Sequence, residues 1–378
     1  MIAPESETCD VLIVGGGPGG SSCARGLRDS GLDVLVMDKA TFPRDKVCAG
    51  WITPPVVDLL DLDLDDYKRE HALQPITRFR TGIIGGPAIE TEYDKTVSYG
   101  IRRCEFDDYL LKRCGARTQL GSPLKTMERS ENGWLINGSL QAKLIVGAGG
   151  HFCPVARRLN QANPSEKSVV LAQETEFELT PEQQSLCRVK PDTPELYFCR
   201  DLKGYGWCFL KDGFLNVGIG REGEKQLSAV RDEFTDYLDR EGRVPKEILG
   251  KFKGHAYRLY GLQKRTIIDD SVLLVGDAIG MASPQSGEGI RPAIETGLIA
   301  ADMIRDCQRD YSKARLGTYQ EKVFDRFGEW SDHPEASFIP AAFRQFLGRR
   351  LMSTQWFTRM VLLDRWFLQQ HLLPLVHG

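Results

Sequence analysis

The feature that most constrains this chain is Gly15-x-Gly17-x-x-Gly20, which follows the apolar run at 11–14 and precedes a stretch of small residues. A second apolar run, at 34–37, is closed by Asp38 and Lys39. Short apolar runs of this kind are buried strands. Gly15 permits the tight turn, Gly17 lets the backbone approach a pyrophosphate, and Gly20 lets the following helix sit close to the strand. Pro18 and Gly19 open that helix, whose free amides and dipole favour phosphate. Asp38 then falls at the carboxyl end of the second strand, where a carboxylate can accept from ribose hydroxyls. Strand, glycine turn, helix, strand and acid together predict a dinucleotide seat.

Composition removes several function classes. The formal net charge is −3, so no overall basic field points to nucleic acid. The ten cysteines are scattered without a Cys-x-x-Cys pair, and the six histidines show no metal-ligand spacing, so no metal site is expected. His151, just after a glycine turn, reads as a structural histidine or else as one that faces the cofactor. Scattered thiols fit a reducing cytoplasm. The first residues lack the basic and apolar regions of a signal peptide. No apolar window is long enough to span a bilayer.

The texture changes along the chain. Segments 1–75, 101–165 and 262–310 are expected to form a discontinuous dinucleotide-binding domain. Segments 76–100 and 166–261 carry short strand-like runs and read as a β-rich substrate domain. Residues 311–378 read as a C-terminal helical region. The expected fold class is therefore α/β: a Rossmann-like domain of glutathione-reductase type, an inserted antiparallel sheet and a helical tail. The tail carries Phe346, Leu351, Trp356, Met360 and Phe367 among Arg349, Arg350, Arg359 and Arg365. It reads as packed terminal helices, or else as the wall of an apolar tunnel or a face resting on a membrane surface.

A second motif reinforces the first. The run Ser271-Val-Leu-Leu-Val ends in Gly276-Asp277, and Pro284-Gln-Ser-Gly287-Glu-Gly289-Ile290 follows. This places a carboxylate at the sheet's carboxyl edge and opens a helix beside it. Such a helix N-terminus can stabilise negative charge on a reduced flavin ring.

With these motifs in order, the chain resembles the FAD-dependent reductases and monooxygenases of the p-hydroxybenzoate hydroxylase fold, and most closely their geranylgeranyl reductase branch. Three further segments carry the likeness: Arg103-x-x-Phe106-Asp107, Pro43-Arg44-Asp45-Lys46-Val47-Cys48-Ala49-Gly50, and Gly204-Tyr205-Gly206-Trp207-Cys208-Phe209. The resemblance implies FAD as cofactor. It assigns Asp38 to the adenosine ribose, Asp277 to the ribityl or pyrophosphate portion, Arg103 and the 44–50 loop to flavin contacts, and Tyr205 and Trp207 to the substrate cavity. Gly147-Ala148-Gly149-Gly150 stands where the family has Gly-Ala-Asp-Gly, so Gly149 replaces an acid that serves FAD and NADPH contacts. Ala49 replaces a glycine and Leu210 a proline.

Cys48, beside Arg44 and Lys46, is a candidate proton-donating thiol or else a small side chain packed near the flavin. Tyr205, Trp207 and Phe209 alternate on one strand face and read as sheet core or else as a wall for an apolar substrate. With one dinucleotide fingerprint, an external donor (NAD(P)H, a ferredoxin or a flavin reductase) must visit transiently. The leading expectation is reduction of C=C bonds in a prenyl or lipid-like substrate. The alternatives are an FAD-dependent monooxygenase and a flavin-binding protein without turnover.

Overall fold

The computed structural model describes residues 7–161, 169–223, 227–330 and 341–377, with side chains from 345 onward in the last segment. His333 lies outside them. Strand Glu7–Val14 is the centre of the first sheet. It pairs in parallel with Val34–Met37 on one side and Leu140–Gly147 on the other. Val11, Leu12 and Ile13 are fully buried, as a parallel strand covered on both faces requires. Val272–Leu274 continues the sheet beyond Leu140–Gly147, and Arg117–Gln119 extends it beyond Val34–Met37. Helix Pro18–Gly26 packs on helix Ile290–Asp306, and small residues set the spacing. A Cβ on Gly297 would lie 2.3 Å from the Gly19 carbonyl oxygen.

The second sheet has seven strands, in the order Lys253–Arg258, Val169–Glu178, Phe214–Glu222, Gly204–Lys211, Glu195–Phe198, Arg78–Ile83, Ala88–Glu92. Its pairings are antiparallel except that of Glu195–Phe198 with Arg78–Ile83, which is parallel, so the expected antiparallel sheet is mixed. The parallel pair arises because Arg78–Ile83 reaches this sheet from a distant part of the chain, not through a hairpin. The period-two pattern of Gly204–Lys211 divides its side chains. Cys208 and Leu210 face helix Leu227–Arg240, where Phe234 and Leu238 are buried. Trp207 and Phe209 face the opposite way and pack with Met352, Leu362, Leu363 and Phe367 of the tail.

Two segments depart from the sequence reading. Residues 51–52 form a short strand after the 44–50 loop, and Ser98–Ile101, expected in part with the β-rich region, pairs with it on one side and with Leu73–Ile76 on the other in a separate three-stranded sheet. The junction depends on Gly50. Its φ is +65°, its carbonyl accepts from Ile101 N, and a Cβ there would lie 2.1 Å from the Ile101 oxygen. Among the described residues no helix is long and apolar enough to cross a membrane.

Candidate active site

A cavity of about 520 Å3 opens where the carboxyl edges of the first sheet meet one face of the second. At one end is the glycine turn. Gly15 has φ +119°, and a Cβ there would lie 2.4 Å from the Ala148 oxygen. A Cβ on Gly20 would lie 1.9 Å from the Gly15 oxygen, so Gly20 fixes the approach of the helix although it does not line the cavity. Asp38 is held by two amides: Gly16 N donates to one carboxylate oxygen at 2.8 Å and Ala40 N to the other at 2.9 Å. Gly17, Pro18, Gly19, Asp38 and Lys39 all line this end.

The other end is built by Gly276–Asp277 and the 286–290 turn. Gly276, Asp277, Gly287, Gly289 and Ile290 line the cavity, whereas Pro284 is exposed and lies off the wall. Helices Pro18–Gly26 and Ile290–Asp306 both open on this space, and neither has a side-chain cap at its N-terminus. Two uncapped positive helix ends in one cavity, a fixed ribose-type carboxylate and a close-approach glycine turn fit FAD lying extended between them. The residues that would hold it are Gly15, Gly17, Pro18, Gly19 and Asp38 at the adenine side, and Asp277, Gly287 and Gly289 at the ring side. Glu288 stands at that ring end. Burial pushes its carboxyl up to about 7; one oxygen accepts from Arg291 N at 2.7 Å and the other is buried without a partner.

The loop at 44–50 forms the wall between the two ends. Arg44, Cys48, Ala49, Gly50 and Arg103 line the cavity, as do Ala148 and Gly149 opposite. Asp107, fully buried, takes a two-pronged hydrogen bond from Arg103 (2.9 and 3.0 Å) and faces Arg44 at 3.3 Å. Arg103 also reaches the Cys48 side chain. Beneath the loop lies a buried polar layer. Cys48 N donates to Glu174 at 2.8 Å, and Asn216 donates to the Cys48 carbonyl at 3.3 Å. Lys211, 1% exposed, donates to the Ala49 and Ile101 carbonyls and to Glu176 at 2.7 Å. Trp207 is anchored through its indole N–H to Asn216 at 2.6 Å.

Burial pushes the Glu174 carboxyl up to about 7. Its folded value lies above its unfolded one, so the native state holds the proton more tightly. The associated stability is complete at low pH and is lost as pH rises from the ordinary carboxylate range through about 7. Glu174→Gln is therefore expected to match the parent near pH 4 and to exceed it at pH 8 by on the order of 1–3 kcal/mol. Denaturant unfolding at the two pH values checks this; equal stability at pH 8 would contradict it.

Tyr205 and Trp207 line the cavity, with the Tyr205 hydroxyl donating to the Ser286 carbonyl at 2.5 Å. Phe209 lies deeper, edge-on to Trp51 with centroids 5.9 Å apart, so it supports the wall without forming it. Sequence reasoning passed over Trp51, Tyr257 and His255, which line the cavity together with Phe367, as the tunnel-wall reading of the tail expects. Phe367 comes from the tail and stacks on Trp51 at 5.6 Å. Sequence reasoning also passed over Glu174, Glu176 and Lys211. A signal existed for these: charged residues within otherwise strand-like runs mark buried polar partners. His151, which reads as structural or else as facing the cofactor, lines the cavity with Nδ1 buried and unpartnered.

Known proteins agree with this architecture. Residues 13–44 match the NAD(P)-binding Rossmann-like domain family. An uncharacterised protein of Methanosarcina barkeri is 30% identical over 328 residues, covering 84% of this chain and 78% of that one. The menaquinone reductase of Mycobacterium tuberculosis is 29% identical, covering 85% and 81%. The digeranylgeranylglycerophospholipid reductase of Methanococcus vannielii is 27% identical, covering 84% and 82%. A geranylgeranyl bacteriochlorophyll reductase-like structure from Thermoplasma acidophilum superposes with TM-score 0.72 at 24% identity, covering 92% and 88%. A variant of the halogenase PltM in complex with FAD superposes with TM-score 0.66 at 14% identity, covering 84% and 74%. The last two show the shared fold.

Fold and site thus define an FAD-dependent oxidoreductase. The chain belongs to the geranylgeranyl reductase-like branch of that class.

Proposed function

We propose that this protein reduces carbon–carbon double bonds of a polyprenyl substrate lying over the aromatic face of its cavity. The observation that carries this reading is the wall of Trp51, Tyr205, Trp207, Tyr257 and Phe367, a continuous apolar surface within the same cavity as the FAD seat. When bound, reduced FAD supplies the hydride. The aromatic wall holds the hydrocarbon and excludes water, and the hydrogen bonds of Tyr205 and Trp207 fix the rings that do so. Cys48, fixed by Gly50 N at 3.4 Å and by Arg103, holds the proton that completes the addition at the second carbon.

A single dinucleotide seat, with Gly149 in place of the family acid, supports a transient external donor. The tail supports contact with a bilayer. Phe346, Leu351, Trp356 and Met360 are exposed among four arginines, while Phe367 of the same segment reaches the cavity. Aromatic and basic residues together suit an anionic lipid surface. Co-sedimentation with anionic vesicles that survives Trp356→Ser with Met360→Ser would argue against this contact.

The function is tested by an anaerobic screen on the photoreduced holoenzyme, followed through the visible absorbance of the oxidised cofactor. Prenyl lipids are expected to restore that absorbance and small aromatic acids to leave it unchanged. Restoration only once oxygen is admitted, with one oxygen atom incorporated into the added compound, would establish the monooxygenase reading instead.

A further inference from the structure

Two carboxyl groups, Asp277 and Glu288, stand at the ring end of the cavity. The Asp277 carboxylate lies 3.3 Å from a Cβ placed on Gly289, at the opening of helix Ile290–Asp306. One Glu288 oxygen takes the Arg291 amide of the same helix end at 2.7 Å, and the other is buried without a partner. The turn that carries Glu288 is fixed on both sides. Its carbonyl accepts from Ser283 N at 2.8 Å, and its amide donates to the Ser286 hydroxyl at 3.3 Å. The Ser286 carbonyl in turn takes the Tyr205 hydroxyl.

The two acids are not balanced alike. The Lys46 ammonium is near enough to Asp277 to offset it. Around Glu288 stand Arg291 and Glu295 of the following helix, Asp277 of the facing turn and Tyr205 of strand Gly204–Lys211. The Arg291 guanidinium is directed to Glu295 at 2.8 Å, and Arg326 of helix Lys313–Phe327 shares that acid at 2.7 Å. Glu288 itself forms no ion pair among the described residues. Burial, reinforced by Glu295 and Asp277, outweighs the Arg291 amide and charge and pushes its carboxyl up to about 7. A carboxyl so placed gains or loses its proton at neutral pH when a neighbouring charge changes. Reduction of a flavin sets such a charge at this helix end.

We propose that Glu288 binds a proton when the seated FAD is reduced and returns it when the cofactor is reoxidised. Reduction by a two-electron donor brings a hydride to the ring and leaves one negative charge there. A proton from water converts the Glu288 carboxylate to the acid, so hydride and proton enter together and the net charge of the pocket is unchanged. When the hydride leaves, the ring is neutral again and the acid gives its proton back to water. Glu288 is thus a positioning residue that acts through its charge. The proposal stands on the FAD seat alone and holds whichever compound takes the hydride.

The midpoint potential of the holoenzyme is followed by spectroelectrochemistry from pH 5 to pH 9, about two units either side of 7, in the parent and in Glu288→Gln. Glutamine keeps an oxygen for the Arg291 amide and cannot ionise, and bound FAD reports that the variant is folded. At pH 8 the slope of the parent is expected to read two protons per two electrons and that of the variant one. Near pH 5, where Glu288 is protonated in both redox states, the slopes are expected to coincide; by pH 8 the variant is the easier to reduce. A parent slope of one proton at pH 8 overturns the proposal. So does a variant slope of two, which would give the extra proton to the ring itself. The infrared difference spectrum of the parent on reduction at pH 8 decides the matter if the variant does not hold FAD. The band of a protonated carboxyl is expected to appear, and its absence overturns the proposal.

Discussion

Gly20→Val is expected to yield a colourless protein. The Cβ of any side chain at this position would lie 1.9 Å from the Gly15 carbonyl oxygen, well inside contact distance, and the obstacle is backbone that cannot rotate away. The helix must then back off from Glu7–Val14, taking Gly17, Pro18 and Gly19 with it, and these line the FAD seat. The helix is also locked from behind, because the Gly19 oxygen lies against Gly297. Moving it therefore disturbs the whole interface with Ile290–Asp306, whose N-terminus serves the other end of the cofactor. Loss of affinity is expected to be on the order of a thousandfold, about 4 kcal/mol. The check is FAD content of the purified protein by absorbance, with circular dichroism to report the fold. A folded, fully yellow Gly20→Val protein would show that the turn does not seat the cofactor.

Lys211→Met is expected to destabilise the protein by about 3–5 kcal/mol. Lys211 is almost completely buried and holds three acceptors: the carbonyls of Ala49 and Ile101, and Glu176. Methionine keeps the aliphatic stem against Gly100 but leaves these acceptors short of a donor. Glu176 retains Asn216 at 2.9 Å and Arg102 at 3.4 Å, which places the loss toward the lower end of that range. Because Ala49 and Gly50 lie in the wall of the cavity, the same change should loosen the loop that carries Cys48. Adding Glu176→Gln to Lys211→Met removes the uncompensated acid and should recover part of the loss, a coupling a double-mutant cycle reads directly. A loss below about 1 kcal/mol, the size of an exposed ion pair, would mean the buried layer does not hold the loop.

The parts of the molecule legible in its sequence are those where local chemistry and fold coincide. The glycine turn between strand and helix needs particular residues at particular spacings, so 15–20, Asp38 and Gly276–Asp277 could be read directly. The alternation in Gly204–Lys211 likewise separated Trp207 from Cys208. What escaped depends on contacts between distant segments. Phe367 belongs to a tail whose pattern reads as packed helices or as a tunnel wall, and only the fold sets its ring against Trp51. Trp51 pairs with Gly100 through a junction that no local propensity encodes. His255 and Lys46 are far apart in sequence and meet because an edge strand brings one beside the loop that carries the other. Glu174 and Lys211 carried a usable signal, charge inside an apolar strand, but their common target, the loop at 48–50, could only be seen in the folded chain.

Under the proposed function, one seated FAD saturates one prenyl double bond in this cavity. In a single-turnover experiment, holoenzyme reduced without oxygen is mixed with an excess of geranylgeranyl lipids of different headgroups, and the extracted lipid is weighed by mass spectrometry. The expected result is one added pair of hydrogens for each cofactor reoxidised. Cofactor that stays reduced, or a lipid that gains oxygen only after air is admitted, would contradict it.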